Sequence, residues 1–238
     1  MNNDSKCENR AMNFLLFSYF GVTADDDDEL ILNAAIKKAH ADATMQGAYN
    51  AMFKKEDEDA KKKSNTAAEE CTKFIKEKIK ELRNTTSEAY NKWHNKVCKE
   101  LIEIYAEKLG DKYQDYFSYG NAQKWINMLM KYLCIFNELG VGPDFSETLN
   151  SLKDELHVPI DSYILEAYCS NKDELLGLKQ KKSNTPKAWS KMNWEDYKGI
   201  QVKIINETKK HYSNPMDWES KAWIAVAKKR KRKNQNKI

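Results

Sequence analysis

Apolar residues recur along this chain at intervals of three to five rather than in alternation, which predicts helices throughout and no strand. Residues 10 to 22 and 26 to 52 read as two helices joined at GVTADDDD. From 55 to 83 the apolar positions thin out among Lys and Glu, which predicts a long, largely exposed helix, or a pair broken near SNT. SEAYNKWHNKVCKELIEIYAEKLG sets Tyr90, Trp93, Val97, Leu101, Ile104 and Leu109 on one face and stops at Gly110. Between Trp125 and Phe136 nearly every position is apolar or aromatic, so this helix is expected at the centre of the fold. Its few polar residues, Lys124, Asn127, Lys131 and Glu138, form one stripe that either meets solvent or lines a cleft. A glycine-bearing turn (GVGPDF), a short amphipathic helix and the segment LHVPIDSYILEAY follow. Pro159 holds that segment extended, and Asp161 stands at the threshold of a helix over 162 to 180, with SNTP as a break. The remainder reads as two or three helices and carries four of the six tryptophans.

Composition agrees with an all-α fold: Pro (4) and Gly (8) are scarce, and charged residues make up 32% of the 238 positions. That length suits one large domain or two small lobes, and a single two-lobed helical domain over 1–227 with a basic tail over 228–238 is expected. No apolar run is long enough for a membrane span, and MNFLLFSYFGV lacks the flanks of a signal peptide, so an intracellular protein, cytoplasmic or nucleoid-associated, is expected. The five cysteines are scattered without a C-x-x-C pair and the four histidines are isolated, which predicts reduced thiols and no metal site.

The net charge of +4 is unevenly spread. KKRKRK, Lys228 to Lys233, is either a solvated tail or an electrostatic handle for a polyanion such as nucleic acid. The acidic run Asp25 to Asp28 is placed to favour a helix N-terminus.

An apolar helix bearing a lysine (INMLMKYL), a GVG turn and then VPID opening a helix resemble the helix-hairpin-helix DNA glycosylase superfamily. In that superfamily a catalytic aspartate lies in a VPVD-like segment after the hairpin. Its ordinary bifunctional members carry their lysine just after the hairpin glycine, where this chain has PDFSET and no lysine. The archaeal-type 8-oxoguanine glycosylase/AP lyase branch, with its lysine further upstream, is more similar. That branch also pairs an acidic residue with a tryptophan near the C-terminus, as ESKAW does here with Glu219 and Trp223, although with glutamate in place of aspartate. The resemblance covers residues 115 to 225.

The resemblance implies an all-α, two-lobed fold with a helix-hairpin-helix element, and excision of an 8-oxoguanine-like base from double-stranded DNA by a monomer without a cofactor. Lys131 would be the nucleophile, neutral through burial among Met128, Met130 and Ile135, forming a Schiff base with the sugar, with elimination at the 3′ phosphate to follow. Asp161 would stabilise positive charge on the sugar, or help to deprotonate the lysine, and its cap position keeps it ionised. The flipped base would be held by Trp223 and Trp218 and read by the acceptor oxygens of Glu219. Gly140 and Gly142 would offer backbone N–H groups to a phosphate, and Lys124 would contact the DNA backbone.

Each residue also has a plainer reading: Asp161 as a helix cap, Lys131 as a solvated side chain, the tryptophans as core anchors, Glu219 as a surface residue, the glycines as a helix stop. A non-catalytic nucleic-acid-binding protein and a helical protein-interaction module are the alternatives to an enzyme. A lysine amine within about 3 to 5 Å of the Asp161 carboxylate would favour the enzyme.

Overall fold

The helix expected at the centre is there. In the computed structural model, which describes residues 3–45, 58–111, 116–169, 187–211 and 214–235, the helix Tyr119–Leu139 (α5) buries side chains around most of its circumference. Ser118 and Asn121 begin it with a reciprocal capping box. Gly140 ends it in the left-handed conformation, at φ 65°. The Trp125 indole donates to the Ile36 carbonyl at 2.9 Å, fixing α5 against the helix Asp28–Thr44 (α2).

Around α5 the chain runs as Asn3–Phe20 (α1), α2, Glu58–Glu81 (α3), Ser87–Leu109 (α4), α5, Ser146–Leu152 (α6), Ser162–Cys169 (α7), Trp194–His211 (α8) and Pro215–Gln235 (α9). Short 3-10 turns lie at Leu82–Asn84 and Trp189–Lys191. The described residues contain no strand, and no helix among them is long and apolar enough to cross a membrane. The fold is all-α.

The second helix ends at Thr44 rather than at 52, and residues 46–57 lie outside the described residues. The lysine-rich third helix runs unbroken through SNT. Ala60, Ser64, Ala67, Cys71, Ile75 and Ile79 recur every three or four positions and are buried, and most of the run packs on α4. Because several of these residues are small, the stripe escapes a reading that weighs only large apolar side chains. In α4, Tyr90, Val97, Leu101 and Leu109 of the predicted face are buried, joined by His94, Cys98 and Tyr105, while Trp93 and Ile104 are half-buried. Of the helix expected over 162 to 180 only the part to Cys169 falls among the described residues. Helix α9 continues through the basic run Lys228 to Lys233 as far as Gln235.

The stretch Leu156–Ile160 is neither helix nor strand and is wholly buried. Buried backbone outside a helix or sheet needs other partners, and three side chains supply them. Gln201 accepts from the Val158 N–H at 3.1 Å and donates to its carbonyl at 2.6 Å. Gln123 accepts from the Ile160 N–H at 3.4 Å and donates to its carbonyl at 3.1 Å. Asn127 donates to the Val158 carbonyl at 3.1 Å and to the Gln123 side chain at 3.0 Å. Pro159, between the two bound residues, has no N–H to satisfy. Asp161 therefore emerges from a segment locked to α5 and α8.

Candidate functional site

The same core polar cluster extends to two histidines. His94 Nε2 lies 2.8 Å from Asn127 Oδ1, His157 Nε2 lies 2.7 Å from Asn91 Oδ1, and His157 Nδ1 lies 2.8 Å from the Tyr197 hydroxyl. Asn127 in turn donates to that hydroxyl at 2.8 Å. Assigned from these partners, both imidazoles are neutral and carry their proton on Nε2, while Tyr197 donates to His157 Nδ1. Burial pushes His94 down to about 4 and, with a smaller contribution from His94, holds His157 well below the ordinary histidine range. Asn127, on the polar stripe with the two lysines, thus belongs to the core. Its burial is the physical reason that the stripe is neither a solvent face nor wholly a cleft.

Asp161 caps α7. Its Oδ1 accepts from the N–H groups of Tyr163 and Ile164 at 2.8 and 2.9 Å. The cap reading holds, and it leaves the other carboxylate oxygen outside the cap. Helix α9 packs on α7 and fixes it from the far side. Arg230 donates through Nε to Glu166 Oε2 at 2.9 Å, through Nη1 to the Ser162 hydroxyl at 3.2 Å and through Nη2 to the Ser162 carbonyl at 2.9 Å. The Tyr163 ring stacks on Trp223 with centroids 5.0 Å apart and planes 24° apart, and the Arg230 guanidinium lies 4.0 Å from the Tyr163 ring centre.

Two of the sequence-derived site residues pair directly. Lys131 Nζ lies 2.7 Å from Glu219 Oε2, and the Glu219 side chain is almost completely buried. Apart from that ammonium, Oε2 has no hydrogen-bond partner among the described residues. Burial lifts the Glu219 carboxyl above the ordinary glutamate range; Lys131 draws it back, and the nearby charge of Asp161 adds to the rise. Lys131 is thus neither the solvated side chain of the plainer reading nor a direct partner of Asp161: among the described residues its ion pair is with Glu219. Glu219, in turn, is not on the surface.

Lys124 lies roughly 10 Å further toward the start of α5, two turns from Lys131. Its Nζ stands over the Trp189 ring, 4.7 Å from the centroid. Burial pushes its ammonium below the ordinary lysine range, while the charges of Asp161 and Asp42 act in the opposite direction. Trp189 can sit there because residue 120 is glycine: a Cβ at that position would come within 2.1 Å of the Trp189 carbonyl oxygen. The Ser118 hydroxyl donates to the Ser190 carbonyl at 2.7 Å and holds the same turn.

The remaining expectations divide. Trp218 is fully buried and presents no face on which a base could stack; it is a core anchor, because its position on α9 turns toward the interior. Trp223 is 38% exposed. One face of its ring is taken by Tyr163. The Gly140 N–H donates to the Asn137 carbonyl at 3.2 Å and the Val141 N–H to the Phe136 carbonyl at 2.9 Å, so these amides close the helix end and are not left for a phosphate. Gly142 has φ 74° and crosses closely over Ile31, whose Cγ2 would stand 2.7 Å from an added Cβ. Among the described residues no three His, Cys, Asp or Glu side chains gather as a metal site.

Residues that the sequence reading passed over include Gln123, Gln201, His157, Tyr197 and Trp189. The one local signal for them is the recurrence of amides, Gln123 and Asn127, one turn apart in an otherwise apolar helix. Comparison of the chain with protein families, with curated proteins and with solved structures finds no match.

Proposed function

We propose that this protein is a DNA glycosylase with AP-lyase activity, which removes an oxidised or otherwise modified base of the 8-oxoguanine kind through a lysine Schiff base. The observation that carries the reading is convergence. Lys131 and Glu219, from two well-separated segments picked out by their resemblance to one enzyme branch, pair at 2.7 Å, the charge of Asp161 from a third acts on Glu219, and a partly exposed Trp223 lies on the same helix as Glu219. In this reading α5 supplies the amine, and the start of α7 supplies a fixed carboxylate for the cationic sugar. The exposed part of Trp223 on α9 supplies a stacking surface for the extruded base, and the buried Glu219 holds Lys131 in place. The basic last turns of α9, Lys228 to Lys233, supply counter-charge for the phosphates.

Borohydride trapping tests this directly. The protein is incubated with duplexes carrying 8-oxoguanine, other modified bases or an abasic site, and the imine is reduced in place. A covalent protein–DNA adduct is the expected result. Absence of an adduct on every duplex, the abasic one included, would overturn the reading. If DNA is nonetheless retained, a non-catalytic nucleic-acid-binding protein takes its place, a role that the closed Lys131–Glu219 pair also suits.

A further inference from the structure

We propose that the outer face of α1 is a two-fold interface with a second copy of this chain, an inference independent of the chemistry proposed above. Between Met12 and Phe20 only Asn13 and Ser18 lack a large apolar or aromatic side chain. A helix apolar on every side belongs in an interior, yet in this fold one side alone is covered. Leu16 is buried, and Phe20 packs edge-on against Tyr132 and Phe136. Phe14, Leu15, Phe17 and Tyr19 turn outward, 71, 66, 64 and 51% exposed, and Leu30 of α2 adds to them at 46%. Tyr19 is held in place, its hydroxyl 3.0 Å from that of Tyr132 and its ring centre 4.4 Å from the Lys38 ammonium. The surface is therefore preorganised.

Area and charge select the occupant. At about 150 to 250 Å² for a whole aromatic side chain and somewhat less for leucine, these five residues expose about 550 Å². That is at the top of what a monomer leaves uncovered. A stable complex buries about 800 Å² from each partner, so the patch supplies about two thirds of a half-interface and its polar rim the rest. The rim carries both signs. Asp25 and Asp27 are exposed at the start of α2, and Lys37, exposed and without an ion pair among the described residues, stands about 15 Å further along it. A two-fold axis between them sets each copy's Lys37 against the other's acidic run. The same acids would repel an anionic lipid surface. Beside Lys37 a cavity of about 370 Å³, lined by Tyr19, Phe20, Leu30 and Ala34, has room for a phenyl ring such as that of Phe17 from the second copy.

The test is the mass of the full chain in solution, by sedimentation velocity over a dilution series at low and high salt. Wild type is expected at twice the chain mass, dissociating on dilution. Phe17→Glu, on an exposed position, should weaken the dimer at least about 30-fold with an unchanged far-UV circular-dichroism spectrum. Lys37→Glu should weaken it about tenfold at low salt and less at high salt. A wild type that stays at the chain mass at every concentration would overturn the inference, whether or not it then sediments with vesicles of anionic phospholipid. So would a dimer that Phe17→Glu leaves intact, since it would be formed through another face.

Discussion

Lowering the pH from 7 to 5 is expected to destabilise the fold through His94 and His157. Both rings are neutral in the core, with each nitrogen facing a partner that a second ring proton would disturb. Unfolded, each imidazole has an ordinary pKa of about 6.5. A folded value depressed below the unfolded one contributes stability that is present above the unfolded pKa and lost as pH falls toward the folded one. With His94 at about 4 in the fold, linkage removes about 2 kcal/mol between pH 7 and pH 5. His157, held well below the ordinary histidine range, loses stability over the same interval. For a chain of this size the His94 share alone is roughly a 4 to 8 °C fall in Tm. His40, also depressed to about 4, acts in the same direction. Glu219 acts in the opposite direction: its folded carboxyl is raised, so it favours the fold as pH drops and offsets part of the loss. Thermal melts monitored by circular dichroism at both pH values, together with imidazole NMR titrations, measure this. A Tm unchanged within about 2 °C, or either imidazole titrating near 6.5 in the folded protein, would refute the reasoning. Because Asn127 also donates to the Val158 carbonyl, acid should loosen the seat of Asp161 before the whole fold melts.

Further expectations concern single side chains. Lys131→Met removes the cation beside a buried carboxylate and should cost about 3 kcal/mol at pH 7, whereas Glu219→Gln leaves a lysine that can turn toward solvent and should cost about 1 kcal/mol or less. Urea melts separate the two, and equal losses would contradict the asymmetry. Asn127→Leu strands the His94 Nε2–H in the core and takes one partner each from the Tyr197 hydroxyl and the Val158 carbonyl, which keep His157 and Gln201; it should cost about 2 kcal/mol, read from the urea midpoint at constant slope, and a neutral result would mean that the network adds nothing. Gly120→Ala should displace the Trp189 turn at a cost of about 2 kcal/mol and alter indole fluorescence, while an unchanged spectrum would show that the turn does not press on α5.

What could be read in advance was short in range. The apolar stripes of α4 and α5, the glycine stop after Leu139 and the cap at Asp161 depend on residues within about one turn of each other, so spacing alone carries them. The run through SNT was not legible in this way, because small side chains mark a buried face only when a partner helix approaches it closely.

The candidate site shows the same division. Sequence motifs pointed to Lys131, Asp161, Glu219 and Trp223, but not to which carboxylate each lysine would face. On α9, residues 218, 219 and 223 lie within little more than one turn, yet Trp218 is buried, Glu219 is buried and paired, and Trp223 reaches the surface. On α5, one stripe gives a buried amide at Asn127 and two lysines in different surroundings. The sequence by itself determined where helices form and how they are capped, since those energies are settled by neighbours along the chain. Only the tertiary structure decided burial, charge pairing and the threading of Leu156–Ile160, because desolvation depends on which distant segment covers each face.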